Sequence, residues 1–174
     1  MRAIFTAALA ALLSTVVTLP VLAEEPRPIA VFPIELLDTS GEGLKPEQAR
    51  RLELATRTLV RQLEGTGRYR AVDLEPFADE VAATAPRYAC GGCWRDVARK
   101  AGADMAVIAA VHKVSTLIST ISILIADLET DTYVARADGQ FRGETDEAYV
   151  RALEFLVPER LRTKDPAAGA QNPG

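Results

Sequence analysis

The sequence predicts an α/β fold in which a mixed β-sheet packs against helices. Two observations support this prediction. Apolar runs of strand length alternate with amphipathic helical segments in the first part of the chain, a pattern typical of strand–helix–strand units with parallel strands. Three apolar strands separated only by short turns follow, and strands joined in this way pair antiparallel. The predicted order, β-α-β-α-α-β-β-β-α, therefore combines both pairing directions in one sheet.

The first strand and the first helix are placed by apolar patterning and by proline and glycine. The strand is predicted at residues 28–36, where apolar residues lie on both faces and Pro33, which lacks an N–H donor, weakens pairing. The helix follows from Pro46, a residue suited to a first helical turn, and ends at Gly65 and Gly67. The two elements form the start of a strand–helix–strand unit.

The remaining elements are predicted from the same periodicities and from turn residues. Asp131 tolerates the left-handed conformation that a tight turn needs, and Thr145 is suited to cap the last helix, which Pro158 should end or kink. The predicted segments are a strand at 69–74, a weak helix at 75–84, a helical segment from Cys90, strands at 105–114, 117–128 and 133–142, and a helix from Thr145.

The strand predicted at 117–128 has two apolar faces. Ile121, Ile123 and Ile125 share one face, and Leu124 lies on the other. Because both faces need burial, one interpretation is a core strand. The alternative is a strand near a sheet edge, to which a partner protein adds a strand of its own.

The first 23 residues have the pattern of a cleavable secretory signal. Arg2 supplies a short positive region, residues 3–19 are mostly apolar, and the small residues Val21 and Ala23 stand before the cleavage point. An uncleaved membrane anchor is the alternative, but the apolar run is marginal in length and contains several Ser and Thr residues. The predicted organisation is a signal peptide at 1–23, a single domain at 24–162 and a disordered tail at 163–174.

The predicted leader places the domain in the periplasm, as a soluble protein. No cysteine follows the cleavage point, so we expect no lipid attachment there. Loss of Arg2 with the leader changes the formal net charge from −4 to −5, and an acidic domain has no field that attracts nucleic-acid phosphates or anionic lipids. No later segment is long and apolar enough to span a bilayer. The expected partners are envelope or periplasmic proteins, and the oligomeric state stays open.

Four motifs resemble those of the amino-terminal domain of TolB and its relatives: Ile29-Ala-Val-Phe-Pro33, Arg68-Tyr-Arg-Ala-Val-Asp73, Ala98-Arg-Lys-Ala-Gly-Ala-Asp104 and Leu124-Ile-Ala-Asp127. Curli-secretion and lipoprotein-activator domains look similar. The resemblance covers residues 28–143. It implies a three-layer domain with a five-stranded mixed sheet and helices on both faces, of the kind that serves as an envelope protein–protein interaction module.

The chain departs from TolB in two respects. Thr130-Asp131 stands where TolB-like domains usually have Thr-Gly in the last turn, and no β-propeller follows the domain. The function of TolB itself is therefore not carried over. The chain also resembles an uncharacterised family of secreted bacterial proteins with the same strands and a CxxC motif, from which no activity is implied.

Cys90 and Cys93, the two cysteines of the chain, are expected to form a disulfide in an oxidising compartment. One interpretation is a structural bridge that pins a loop at the start of a helix. The alternative is a redox dithiol with Cys90 as the nucleophile, because a helix N-terminus lowers the pKa of a thiol. A thioredoxin-like site, however, needs a strand before the motif, and the residues before Cys90 are predicted to be a loop.

We predict no cofactor and no metal. Covalent haem needs a histidine after the second cysteine, where Trp94 stands. The run from Cys90 to Trp94 resembles a signature of secreted proteins that accompany quinoprotein alcohol oxidation, and this extends the redox alternative to such a role. Zinc would need Cys90, Cys93 and His112, the single histidine, but His112 lies late in a strand and is interpreted as a rim or packing residue.

Other catalytic arrangements lack the residues they need. The loop Gly41-Glu-Gly43 lies between a strand and a helix, where phosphates often bind, but no Gly-Lys-Ser/Thr follows, and Asp38 and Glu42 would repel phosphate. The serines have no evident base. The sequence therefore predicts a non-enzymatic periplasmic interaction or accessory domain that presents a sheet edge or a helix face. The alternatives are a thiol–disulfide redox protein using the cysteine pair and a small-ligand binder.

Overall fold

A mixed sheet between two layers of helices accounts for the residues that the computed structural model describes, which are 25–43 and 45–161. The predicted signal peptide at 1–23 and the predicted tail at 163–174 lie outside these residues. The strands are β1 (Arg27–Val31), β2 (Glu35–Asp38), β3 (Tyr69–Ala71), β4 (Met105–Lys113), β5 (Ile118–Asp127) and β6 (Thr132–Arg142). The helices are α1 (Pro46–Glu64), α2 (Ala78–Ala83), α3 (Trp94–Lys100) and α4 (Asp146–Leu156).

The sheet has the order β3-β1-β4-β5-β6, with β2 also paired to β4. The strands β1, β2, β3 and β4 pair in parallel, whereas β4, β5 and β6 form an antiparallel meander. This arrangement confirms the predicted α/β class and the mixed sheet. It also places β5 between β4 and β6 along almost its whole length. The strand-addition hypothesis for residues 117–128 is therefore wrong, because this strand has no free edge, and the core-strand interpretation holds.

The strand predicted at 28–36 is divided in two at Pro33. Val31 lies opposite Val107 and Glu35 lies opposite Ala110, so the β1–β2 side contains one residue more than β4 between these two pairs. Proline has no N–H to donate to a ladder, and an extra residue at such a point is accommodated as a local bulge. As a result β1 and β2 follow the same side of β4 with a one-residue shift.

The two faces of the sheet bury separate apolar clusters. Alternate residues of β5, including Ile121 and Ile123, face α1 and α4 and pack with Leu59 of α1 and Leu153 of α4. On the opposite face, Trp94 of α3 packs with residues of β1, β4 and β5. Since side chains alternate between the faces of a strand, a sheet covered on both sides needs apolar residues at successive positions. The three layers implied by the family resemblance are confirmed.

Several predicted helix and turn positions are confirmed by the backbone. Pro46 occupies the first turn of α1, and the hydroxyl of Thr145 accepts a hydrogen bond from the N–H of Ala148 at 3.2 Å at the start of α4. Asp131 adopts a φ of 56° in the β5–β6 turn. After α4 the chain continues as a π-helical turn at Val157–Leu161, which contains Pro158. These features depend on single residues whose conformational preference is strong.

The close packing of α4 on β6 depends on Gly139. A Cβ atom at this position would lie 2.8 Å from Cδ1 of Leu156, a side chain that is only 3% exposed. Leu156 therefore occupies the space that a larger residue at 139 would need.

We expect Gly139→Ala to lower the free energy of unfolding by about 1–3 kcal/mol, because the added methyl group overpacks the contact with Leu156. Leu156→Ala should cost about 2–5 kcal/mol by itself. The double variant should lose less stability than the sum of the two single losses, since the shortened side chain at position 156 makes room for the new methyl group. Urea unfolding of the four proteins measures this coupling. Strictly additive losses would contradict the contact.

Candidate functional site

Lys113, at the end of β4, is a fully buried charged side chain. Its Nζ lies 2.6 Å from Oε1 of Glu144, 2.7 Å from Oε2 of Glu42 and 3.6 Å from Oδ2 of Asp38. A second lysine, Lys45, lies 3.2 Å from Glu42 and 3.1 Å from Glu144. We call these five residues the Lys113 cluster. It lies where the carboxyl ends of the parallel strands β2 and β4 meet.

The five members of the Lys113 cluster come from four segments of the fold, the first being β4 with Lys113 itself. Asp38 ends β2 and pairs in register with Lys113 across the sheet. Glu42 lies in the loop before α1, Lys45 is the residue before that helix, and Glu144 precedes the cap of α4. The cluster therefore joins the central strand to the starts of the two helices that cover one face of the sheet.

The charges of the Lys113 cluster support one another. Burial alone would lower the pKa of Lys113, but its hydrogen bonds to Glu144 and Glu42 raise that pKa above the ordinary lysine value. Burial would likewise raise the pKa of Glu144, yet the bonds from Lys113 and Lys45 hold it below its usual range. The bond from Lys113 also lowers the pKa of Glu42, and bonds from Ser40 lower that of Asp38. All five groups are therefore charged at neutral pH.

A protonated Lys113 has no lone pair for chemistry. A lysine that acts as a nucleophile or base needs a pKa lowered towards neutrality, and the shift here is in the opposite direction. The loop Gly41-Glu-Gly43, considered above as a phosphate site, contributes Glu42 to this cluster. The cluster is thus a set of ion pairs around the buried Lys113 that joins these elements.

The cysteine pair lies in the turn between α2 and α3. The sulfur atoms of Cys90 and Cys93 are 2.21 Å apart, at bonding distance, and the Cα atoms are 5.6 Å apart. Gly91 and Gly92 have φ values of 67° and 100°, which glycine adopts without strain. Trp94, fully buried, follows at once as the first residue of α3. The element before the motif is a helix and a turn, whereas a thioredoxin-like site needs a strand there.

Arg87 holds this turn against the sheet. Its side chain, 5% exposed, donates to the carbonyls of Val81 and Pro33, each at 3.0 Å, and its guanidinium lies over the ring of Phe32. The backbone N–H of Arg87 donates to the carboxylate of Glu35. Burial lowers the pKa of Arg87 and the charge of Glu35 opposes this effect. The interruption at Pro33 thus supplies the carbonyl that receives the arginine.

His112 lies apart from any metal-binding arrangement in the part of the chain that the structure covers. His112 lies near the end of β4, and its Nε2 is 2.7 Å from the hydroxyl of Thr39. Residues 25–43 and 45–161 contain no group of three or more His, Cys, Asp or Glu residues placed to hold a metal ion.

A cavity of about 400 Å³ lies at the end of the sheet opposite to His112, between Arg27, Arg68 and Tyr69.

The antiparallel ladder determines which backbone groups of β6 are free. Hydrogen-bonded positions alternate along an antiparallel pair. The N–H of Gly143 donates to the carbonyl of Leu117 at 3.1 Å and so fixes the phase of the β5–β6 ladder. Counting back in steps of two, Phe141, Gly139 and Ala137 bond to β5. The N–H and C=O groups that point away from β5 belong to Arg136, Asp138, Gln140 and Arg142.

We call these outward groups of residues 136–142 the outer β6 edge. Within the described chain no strand pairs with it. A groove of about 180 Å³ separates this edge from α4 and is lined by Gly139, Gln140 and Phe155. Phe155 is 63% exposed, and Tyr133, near the start of β6, is 52% exposed. Exposed aromatic side chains beside unpaired backbone groups are common features of protein interfaces.

The fold is that of small three-layer α/β domains known from other bacterial proteins. The LpoB C-terminal domain from Salmonella enterica is 14% identical, with a TM-score of 0.50 over 69% of this chain and 85% of that chain. Lipoprotein GNA1162 from Neisseria meningitidis is 12% identical, with a TM-score of 0.50 over 84% of this chain and 100% of that chain. TolB from Acinetobacter baumannii is 11% identical, with a TM-score of 0.45 over 79% of this chain and 29% of that chain.

A family model described as a protein of unknown function (DUF2380) matches residues 27–161, and the chain belongs to this family. The prediction that the chain belongs to an uncharacterised family is therefore confirmed. No curated protein sequence matches the chain. Among the helices of the described residues, none has the length and apolar character needed to cross a membrane.

We expect Lys113→Met to lower the free energy of unfolding at neutral pH by about 1–3 kcal/mol, because three partly exposed carboxylates lose the counter-ion that they share. The pKa values of Asp38, Glu42 and Glu144 are lowered by folding, so their contribution is present above about pH 4 and is lost as the pH falls. In the variant these carboxyls are free to take up protons. The free energies of unfolding of the wild type and of the variant, measured by urea unfolding, should therefore approach each other as the pH falls from about 7 to about 3.

Lys45→Met is the matched control for this experiment. Lys45 contacts two of the same carboxylates, but its side chain is 42% exposed, and solvent screens its charge. The control should lose much less stability than Lys113→Met. Equal losses of stability in the two variants would contradict the role of Lys113 in these ion pairs. So would a loss for Lys113→Met that does not change with pH.

Proposed function

We propose that this protein is an exported, non-enzymatic interaction domain that binds envelope or periplasmic proteins through the outer β6 edge. The observation that carries the proposal is the row of outward backbone groups at residues 136–142, beside the exposed Phe155. A partner segment would add a strand to the sheet, with main-chain hydrogen bonds for affinity and side-chain contacts for specificity.

The outer β6 edge lacks some of the features that block strand addition. Proteins protect long edge strands with proline, charged side chains, bulges or a covering element. The strand contains no proline, its bulge lies outside residues 136–142, and two of its three charges pair with each other, since Arg136 Nε donates to Asp138 at 2.6 Å. An incoming strand would therefore meet a single net positive charge, from Arg142, and flanking aromatic side chains. The opposite edge, β3, is only three residues long.

Export rests on the leader pattern of residues 1–23. The similarity of the fold to a lipoprotein, GNA1162, supports an envelope location for this chain as well. A role without catalysis is supported by the protonated state of Lys113, which leaves it no lone pair to act as a base or nucleophile. The same proposal gives the cysteines a structural role, in which Cys90 and Cys93 form a disulfide that closes the turn before Trp94.

Cys90→Ser combined with Cys93→Ser should lower the free energy of unfolding by about 2 kcal/mol, because the bridge restricts the unfolded chain only over a short loop. Reduction of the wild-type protein with dithiothreitol should reproduce this loss, whereas the double variant should not respond to the reductant. Urea unfolding with and without reductant makes the measurement. A wild-type protein indifferent to reductant, or one that turns over a model disulfide through Cys90, would overturn the structural role.

The use of the outer β6 edge is tested by a cross-link placed beside it. Phe155 is replaced by the photoreactive residue p-benzoylphenylalanine, and the full precursor is expressed in a bacterial envelope. Irradiation should give a discrete adduct with a protein. Gln140→Pro should abolish this adduct because it removes an outward N–H, whereas the matched control Gln140→Ala keeps that N–H and should retain it.

Both Gln140 variants must melt within a few degrees of the parent, as expected because Gln140 lies opposite Thr120 at a position whose N–H does not bond to β5. An adduct equally strong in the proline and alanine backgrounds would show that backbone pairing is not used. Absence of any adduct at Phe155 would also count against the proposal. Cell fractionation of the same strains checks export, and a protein found only in the cytosol with its leader intact would refute the location.

A further inference from the structure

We infer that the outer β6 edge pairs with the same edge of a second copy of this chain, antiparallel about a two-fold axis at Ala137. This inference rests on the proposed function, because it names the partner of the same edge.

The backbone phase restricts where the two-fold axis can lie. The outward N–H and C=O groups of one β6 can bond only to outward groups of the other. Each outward residue must therefore lie opposite an outward residue of the second copy. In an antiparallel pair of identical strands, this condition places the axis at a residue and never between two residues. The candidate positions for the two-fold axis are therefore residues 136, 137, 138, 139 and 140.

The charge order selects among these positions. An axis at Arg136 or at Asp138 sets identical charges directly opposite each other, and such pairs are destabilising. An axis at Gly139 brings Arg136 opposite Arg142 of the second copy. An axis at Ala137 instead brings each Arg136 opposite Asp138 of the second copy. The sequence Arg136-Ala137-Asp138 is thus complementary to itself.

An axis at Gln140 would also pair opposite charges, Asp138 with Arg142, but it sets Arg136 opposite Glu144, which lies beyond the end of β6 and already pairs with Lys113 and Lys45. The bulge at Val134 changes the phase of the strand, so regular pairing about Ala137 covers residues 135–139 of each copy. Within this segment both exposed charges, Arg136 and Asp138, meet an opposite charge.

Small residues line the centre of this interface on the α4 side. At the axis, Ala137 would face its own copy as a non-hydrogen-bonded pair, the closer of the two antiparallel arrangements. Gly139 would face Ala135 of the second copy. Phe155 lies beside Gly139. Its ring would then lie over Ala135 and Val134 of the second copy, which are partly buried apolar residues. Burial of Phe155 removes a large apolar side chain from water.

The two-fold arrangement closes the assembly. Each copy uses its long edge once, and the edges that remain on either side of the combined sheet are the short strands β2 and β3, of four and three residues. An isologous contact of this kind yields a dimer and no longer array. A self-complementary partner also explains how a long strand edge stays protected in the folded protein.

Charge exchange at two positions tests this register. In Arg136→Asp both facing pairs become Asp–Asp, and in Asp138→Arg both become Arg–Arg. Each variant alone should dimerise at least roughly tenfold more weakly than the wild type. An equimolar mixture should restore the dimer as a heterodimer, because the carboxylate introduced at position 136 of the first variant then faces the guanidinium introduced at position 138 of the second.

Sedimentation equilibrium of the mature wild-type chain, each variant and their mixture provides the readout, with circular dichroism as the check on folding. The combined variant Arg136→Asp/Asp138→Arg is a further control, since it keeps the complementary order and should dimerise like the wild type. Restoration in the mixture supports the axis at Ala137, and a misfolded variant would not be restored.

The outcomes separate this inference from the proposed function. A wild-type chain that stays monomeric at high concentration, with a Phe155 adduct to a different protein that Gln140→Pro abolishes, overturns the dimer and leaves the proposed function standing. A dimer that is insensitive to the charge variants overturns the register. A monomer without any adduct at Phe155 overturns both.

Discussion

The ammonium group of Lys113 lies at the point where otherwise distant segments of the chain meet. It ends β4 on the same face as Val111, so without partners it would be an isolated charge in the core. Such a charge is tolerated only where carboxylates surround it in good geometry. Those carboxylates come from β2, from the loop before α1 and from the start of α4. The cluster is therefore complete only when all of these elements have reached their native positions.

The position of Lys113 could have been predicted from the sequence, whereas its partners could not. Met105, Val107, Ala109 and Val111 alternate along β4 on the core face, and the next step of two reaches Lys113. Strand periodicity thus places a lysine inside the protein, and a buried lysine needs counter-charges. The partners are far apart along the chain, and no local pattern relates them to one another. Nothing in the loop Gly41-Glu-Gly43 itself indicates that Glu42 contacts Lys113.

Local features were predicted better than the order of the strands. The cap at Thr145, the left-handed Asp131 and the break at Pro33 each depend on the conformational preference of one residue, which the sequence states directly. The two apolar faces of residues 117–128 correctly indicated burial. The short turn after β5 makes β5 and β6 a hairpin, so β6 covers the edge of β5 that faces away from β4. No local pattern showed that β1 would lie between β3 and β4, because that order depends on long-range pairing. The free edge consequently belongs to β6.

The interaction surface follows from the same constraints that build the core. Glu144 fixes the start of α4 through Lys113, and Gly139 lets Leu156 pack closely on β6 near the end of that helix. Because Leu156 points into the core, its neighbour Phe155 faces outward beside the free strand edge. An aromatic side chain held on an anchored helix loses less conformational entropy on binding than one on a loop. The packing that stabilises α4 therefore also prepares the outer β6 edge to bind a partner.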